Sequence, residues 1–359
     1  MENKPHVLKQ LGITHPLVQA PMLGVTTPHM VAAANAAGAL GSLALGDLPP
    51  STCEHLIQTT RQLTDKPFAV NLFVHRIPVL TDDLRLRYDQ TKALLVRIAH
   101  KHGLNVSFPE ASSLEMTDYH EQVEVILAAG CKVLSFTFGC LDSLSIDRCK
   151  EAGAWLMGTC TSVEEALFLE NAGVDIIVVQ GVEAGGHRGS FLGDFYPEIG
   201  GLSLLGQVRE QSKLPLIYAG GIYNGSTARA AQELGACAVQ VGSLLLRSRE
   251  SALQPFEKDR LEHVREKDII LTNAFTGRLA RGIKNSFVDL LSGSADMLPY
   301  PYLNKLTQPL RKAAKESANV ELVSIWRGQS LSSLSDHSTK DILENLWSEI
   351  DEQHIAFHS

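Results

Sequence analysis

The chain has 359 residues, 44% of them hydrophobic and 20% charged, with a net charge of −8. That length suits one large α/β domain or a barrel with an added lobe, and the composition is that of an ordinary soluble enzyme. The acidic balance, with both signs of charge interspersed, argues against a nucleic-acid or anionic-membrane surface. No apolar run is long enough to span a bilayer, and the first six residues lack the apolar core of a signal peptide. Six cysteines (Cys53, Cys131, Cys140, Cys149, Cys160 and Cys237) form no CxxC pair and no zinc-like spacing with histidine, so no metal site is expected. Most lie in apolar segments, as small hydrophobes do. A reducing, cytoplasmic home is expected.

Short apolar runs that read as strands occur at residues 17–21, 41–45, 68–73, 133–138, 154–159, 175–180, 216–220 and 238–244. Helical stretches such as 30–37, 123–129, 163–171 and 227–234 lie between them. Gly38, Gly130, Gly153, Gly173 and Gly235 follow helix ends, where a left-handed cap is expected. The repeated unit implies right-handed crossovers and a parallel sheet. Eight strands are the count of a (β/α)8 TIM barrel. The alternative is a doubly wound open sheet, but no G-x-G-x-x-G follows the first strand.

Two stretches depart from this pattern. Residues 74–119 are too long for one connection and carry an amphipathic helix at 82–101. Residues 245–320 are charged, then rich in Pro and Tyr, with no clear strands. The domain reading is therefore a barrel of residues 1–246, completed by 321–359 with a final helix at 338–354, and a mostly helical lobe of residues 247–320 over the barrel mouth.

The sixth strand ends in Gln180-Gly181-Val182-Glu183-Ala184-Gly185-Gly186-His187-Arg188-Gly189. Glycines let backbone approach a ligand closely, and a histidine there can move a proton near neutral pH. The seventh strand ends in Gly220-Gly221 and the eighth in Gly242-Ser243. In a barrel these turns are neighbours and can present N–H groups to a phosphate. A phosphate there suggests a mononucleotide, and the amides of Gln19, Asn71 and Gln180, at or just past strand ends, could serve the ring edge of a flavin.

The opening Pro16-Leu17-Val18-Gln19-Ala20-Pro21-Met22, with Thr26-Thr27-Pro28 and Gly38-Ala39-Leu40-Gly41-Ser42, resembles the nitronate monooxygenase family. So do Asn71-Leu72-Phe73, the Gly185-Gly186-His187 turn, Phe275-Thr276-Gly277-Arg278-Leu279-Ala280-Arg281-Gly282 and Trp326-Arg327-Gly328-Gln329. The resemblance runs from about residue 10 to 330. It implies an FMN-dependent barrel enzyme that oxidises alkyl nitronates with O2, with His187 as the catalytic histidine. The candidate cofactor-binding set is Gln19, Ala20, Pro21, Met22, Asn71, Gln180, Gly185, Gly186, Ala219, Gly220, Gly221, Gln240, Val241, Gly242 and Ser243. Leu23-Gly24 stands where relatives often show Ala-Gly-Gly, a departure in a loop expected to face the flavin.

Other residues carry two readings. Arg188 either helps hold an anion or is structural. Arg278 and Arg281 either approach the flavin or substrate or balance acidic neighbours. Tyr223, Tyr300 and Tyr302 either line a substrate cavity or pack, and His75 ranks below His187. A competing enzyme reading is an FMN-dependent NAD(P)H-using reductase of enoyl-acyl-carrier protein or quinone, and a non-enzyme reading is a flavin store or sensor. The partners expected are a small nitronate and O2, with no nucleic acid and no membrane; a homo-oligomer is left open.

Overall fold

The structure, a computed structural model, describes residues 4–193, 196–291 and 297–356. Its barrel strands are β1 (Leu17–Gln19), β2 (Ser42–Gly46), β3 (Ala69–Phe73), β4 (Val133–Thr137), β5 (Trp155–Cys160), β6 (Ile176–Gln180), β8 (Leu216–Ala219) and β9 (Ala238–Val241). Each lies on one of the eight runs read from the sequence. All eight are parallel, in the order β1-β9-β8-β6-β5-β4-β3-β2. The two end strands meet through a Val18–Leu40 bridge, and the Gln19 amide donates to Leu40 O at 2.9 Å, so the barrel is nearly closed. The expected (β/α)8 architecture is what the chain adopts, and the open-sheet alternative falls.

The alternation along each strand separates two cores. On β6, Ile177 and Val179 pack outward against the helices, whereas Ile176 and Val178 join Val18, Ala69, Val133, Met157, Ile217 and Ala238 in the second, inner cluster. These inner residues come largely from the starts of strands. The helix Lys4–Gln10 and the chain after it add Val7, Leu11 and Ile13 to that cluster and so plug the N-terminal end. The opposite, C-terminal end is left for a site, as barrel enzymes leave it.

The connecting helices follow local rules. The helix Val163–Ala172 starts at Ser162, whose hydroxyl accepts from Glu165 N, and stops at Gly173 with φ 93°, a left-handed cap that favours glycine. The predicted helix at 82–101 is found as Asp82–Lys101, with Thr81 as N-cap, Asp82 and Asp83 in its first turn and Lys101 in its last, all favourable to the helix dipole. The final helix, Thr339–Ala356, lies on the helices Pro28–Ala36 and Gly225–Glu233. A Cβ on Gly225 would stand 2.6 Å from Glu349, so this contact needs bare backbone.

The stretch after the barrel contains the helices Pro255–Glu262, Ser286–Leu291 and Tyr302–Glu316. One expectation is corrected: it also contains strands. With the two-residue strand β7 (Gly186–His187) inserted after β6, β10 (Ile269–Thr272) and β11 (Ala280–Ile283) build a three-stranded antiparallel sheet in the order β10-β11-β7. The sequence hides β11 because Arg281 and Gly282 are poor strand formers. Gly282 is required by close approach: a Cβ there would lie 2.6 Å from Ile325 O and from the Trp326 ring. Residues 1–3 and 357–359 of the expected barrel unit, and 292–296 of the expected lobe, lie outside the described residues.

Candidate active site

At the C-terminal end of the barrel is a cavity of about 770 Å3. The barrel contributes Ala20, Pro21, Met22, Asn71, Gln180, Gly185, Gly186, His187, Ala219, Gly220, Gly221, Gln240, Val241, Gly242 and Ser243 to its wall. The structure thus brings together every candidate residue except Gln19. Gln19 is fully buried behind the wall, where its Oε1 accepts from Ser42 N at 2.9 Å and its Nε2 donates to Ala20 O and to Thr26 Oγ1. Its side-chain amide is engaged by Ser42, Ala20 and Thr26, and Gln19 does not line the cavity.

Gln180 is also committed. Its Nε2 donates to His187 O at 3.0 Å and its Oε1 accepts from Gly189 N at 2.9 Å. The side chain therefore clamps the backbone on either side of Arg188, directly after His187. Asn71 is buried and donates to Ser135 Oγ at 2.8 Å, which leaves its carbonyl oxygen uncommitted. Gln240 makes no side-chain hydrogen bond to the described residues and stands on the wall.

The turns after β8 and β9 behave as a backbone cradle. Gly221 has φ 67°, where an L side chain is strained. Among the described residues no acceptor is found for the amide N–H groups of Gly221, Gly242 and Ser243. Ser243 Oγ accepts from Gly328 N at 2.9 Å and ties the turn to the segment after Trp326. A Cβ on Gly186 would meet nothing within 4 Å, so bare backbone faces open cavity there.

His187 sits where barrel and hairpin meet. β11 pairs with β7 at Ala280–His187 and Arg281–Gly186, so the hairpin fixes the histidine backbone. His187 Nε2 lies 2.8 Å from Thr276 Oγ1. Its ring is surrounded by Phe73, Phe138, Tyr300 and Trp326, with centroids 5.4 to 6.5 Å away. Burial in this apolar shell, then the positive charges of Arg278 and Arg311, pull its pKa down to about 3. The ring is neutral at pH 7. Phe138 carries φ 74° at the end of β4, an uncommon conformation for a bulky residue. Its ring takes the Arg278 guanidinium at 4.0 Å.

The arginines resolve as follows. Arg188 is buried and does not line the cavity; its guanidinium donates to Gly181 O at 2.6 Å and Gln180 O at 3.3 Å. Arg281 is buried with Nε on Val182 O at 2.9 Å, and Arg278 donates to the carbonyls of Arg188 and Ser190. All three hold the turn that carries His187 through carbonyls of the segment from Gln180 to Ser190. The expected approach of Arg278 to the cavity is corrected to a contact behind Phe138. Besides Lys305, whose Nζ lies 3.9 Å from Asp47 Oδ2, the cation that reaches the cavity is Arg311; the sequence reading singled out neither. Arg311 donates to Asn304 O and Oδ1 at 2.9 and 2.7 Å, and its Nε is buried without a partner. Burial lowers its pKa to about 10, so it stays charged at neutral pH.

Asn304, Lys305 and Gln308 share the helix Tyr302–Glu316 with Arg311 and also line the cavity. Tyr300 lines it too, donating to Asp47 Oδ2 at 2.8 Å. Tyr302 and Tyr223 do not: Tyr302 donates to Pro78 O at 2.9 Å, and Tyr223 is exposed. His75 stacks edge-on against Tyr300 at 4.7 Å outside the cavity wall. Leu23 and Gly24, the departure in the first loop, are on the wall. Among the described residues no group of histidine, cysteine, aspartate or glutamate could hold a metal ion. Among the described residues the six cysteines form no disulfide.

The nitronate monooxygenase family model matches residues 4–349. The chain belongs to the nitronate monooxygenase family. A probable nitronate monooxygenase of Staphylococcus aureus (strain JH9) is 37% identical over 355 residues, covering 98% of this chain and 99% of its own. One of Staphylococcus saprophyticus subsp. saprophyticus (strain ATCC 15305 / DSM 20229 / NCIMB 8711 / NCTC 7292 / S-41) is 35% identical over 350 residues, covering 96% and 97%. Among solved structures, a nitroalkane oxidase from Streptomyces ansochromogenes superposes with TM-score 0.88 at 34% identity, covering 98% of this chain and 99% of that one. FabK from Thermotoga maritima superposes with TM-score 0.76 at 25% identity, with 98% of each chain covered.

The chain is therefore an oxidoreductase of a flavoprotein family. The residues present fit a flavin. Among the described residues, unpartnered N–H donors stand on the neighbouring turns at Gly221, Gly242 and Ser243, with the carbonyl oxygen of Asn71, the amide of Gln240 and the apolar side chains of Met22, Phe73 and Phe138 on the wall beside them. No helix among the described residues is long and apolar enough to cross a membrane.

Proposed function

We propose that this protein is an FMN-dependent nitronate monooxygenase that oxidises alkyl nitronates with O2 to carbonyl compounds and nitrite. The observation that carries the reading is the neutral His187 at the meeting point of a glycine-opened backbone and an apolar cavity. Gly221, Gly242 and Ser243 would hold the FMN phosphate, with Asn71, Gln240 and the backbone of Gly185 and Gly186 along the ring. FMN, when bound, supplies the electron transfer to and from substrate and oxygen that no side chain here offers.

The protein's own part is binding, orientation and proton handling. Arg311 supplies positive potential toward an anionic nitronate. Phe73, Phe138, Trp326 and Tyr300 enclose the reacting region and exclude bulk water, which strengthens that attraction. For a neutral nitroalkane, His187 takes the α-proton and so generates the nitronate in place. Its low pKa keeps the ring in the neutral form well below pH 6.5. The chain from residue 247 to 320 serves as the covering lobe, and the cytoplasm is the place such a reduced-thiol enzyme works.

The likeness to FabK of Thermotoga maritima keeps one second reading, an NAD(P)H-using reductase on the same barrel. Anaerobic mixing of the yellow protein with NADH, followed by absorbance, separates the two. No rapid bleaching is expected, together with oxygen uptake and nitrite on adding a nitronate. Rapid bleaching without nitronate turnover would replace the proposal with the reductase. Cofactor released by heat should be FMN; FAD, or no chromophore after reconstitution, would overturn the cofactor assignment.

A further inference from the structure

Thr276 lies in the turn between β10 and β11, and its side chain is the one polar partner of the His187 ring among the described residues. Its hydroxyl has one proton to donate. Arg278 O, a pure acceptor at 3.2 Å, can take that proton. The Thr276 oxygen is then an acceptor toward the ring nitrogen 2.8 Å away, and the Arg278 amide, at 3.4 Å, points a second donor at the same oxygen. An oxygen so arranged holds a histidine that donates from Nε2.

The geometry points to Thr276 as the positioning residue that locks His187 in its Nε2–H tautomer and leaves Nδ1, unprotonated, as the atom that takes the substrate proton. Nδ1 has no polar partner among the described residues, and His187 lines the cavity. In the step this implies, the Nδ1 lone pair forms the new N–H bond while the α-C–H bond breaks. The C–H electron pair becomes the C=N bond of the nitronate, and the charge goes to the nitro oxygens. The ring becomes imidazolium with Nε2–H still held by Thr276, and the proton then leaves to water. The hairpin thus does more than cover the barrel: one loop of it sets the protonation pattern of a residue carried by another element, as second partners of catalytic histidines do.

This inference deepens the nitronate reading and rests on it for the identity of the substrate, but the tautomer can be read without substrate. The test is 15N NMR of the histidine-labelled, FMN-loaded protein at neutral pH, with the His187 signals identified by their loss in His187→Asn. The expected result is a protonated Nε2 and a bare Nδ1; a protonated Nδ1 overturns the proposal. Thr276→Val, nearly isosteric, should mix the tautomers and lower kcat with nitroethane roughly 10- to 100-fold. FMN content and turnover of preformed ethyl nitronate should change little, and Thr276→Ser should restore both the single tautomer and the rate. A Thr276→Val protein with one Nε2–H tautomer and the parent rate also overturns it. If Thr276→Val does not fold, the wild-type spectrum and the Thr276→Ser protein still decide. Wild-type protein that turns over no nitro compound but shows the Nε2–H ring would sink the function reading alone.

Discussion

The two walls of the cavity are built on different principles. The barrel wall is backbone: glycines at 185, 186, 220, 221 and 242, unpartnered N–H groups and amides held by strand ends. The lobe wall is side chain: Tyr300, Asn304, Lys305, Gln308 and Arg311, with positive charge that the barrel wall lacks. Backbone on rigid strands gives fixed geometry and little selectivity among substrates. Side chains on one helix give charge and shape that can vary without disturbing the barrel. On this comparison we propose that the barrel holds the cofactor and the lobe selects the substrate, with His187 on the seam because β7 follows barrel strand β6 in the chain and pairs with β11.

The largest effect should come at the seam. His187→Asn is expected to keep FMN and to lose roughly 10²–10⁴-fold in kcat/KM for neutral nitroalkanes, with a smaller loss for preformed nitronates; steady-state oxygen uptake with both forms checks it. In the wild type the pH profile for nitroalkanes should show no loss near pH 6.5. Because His187 is held at a pKa of about 3, its basic form is present above that value and is lost only as pH falls through it. A limb centred near 6.5 would place the ring in water instead.

A change on the barrel wall comes next. A Cβ at Gly242 would already stand 3.3 Å from Ala20 Cβ and 3.5 Å from Met22 Sδ. Gly242→Leu should weaken FMN binding by roughly tenfold, about 1.4 kcal/mol, read as lower flavin-to-protein absorbance, with the fold retained by circular dichroism. On the lobe wall, Arg311→Met should raise KM for nitronates about fivefold, the ~1 kcal/mol of a hydrogen-bonded charge in a wet cavity, while FMN occupancy stays. Parent FMN occupancy in Gly242→Leu, or flavin loss in Arg311→Met, would break the division between walls. The smallest effect separates two tyrosines. Tyr300→Ala should shift preference between short and long nitronates, and Tyr302→Ala, whose hydroxyl sits on Pro78 O away from the cavity, should not.

Much of this was legible in the sequence because the barrel is written in local terms. Apolar strand runs, helix-ending glycines and turns such as Gly220-Gly221 each report their own conformation. The hairpin was not legible. Arg281 and Gly282 join a strand only because β7 and Trp326 lie beside them, a condition of tertiary packing. Gln19 lies off the cavity wall for a related reason: its position at a strand end is local, but the direction of its amide depends on Ser42 and Thr26. Arg311 carried no motif; it matters because the lobe helix turns that face inward. Thr276 stood within a recognised stretch, yet only the pairing of β11 with β7 shows which ring it touches.

The most direct test of the central claim is oxygen uptake and nitrite release by purified, FMN-loaded wild-type protein given a preformed alkyl nitronate with no NAD(P)H present. Oxygen consumption that tracks nitronate loss, with nitrite and a carbonyl product, is the expected result. A protein that binds FMN yet consumes no oxygen with any nitronate, and whose flavin is bleached by NADH, would contradict the account.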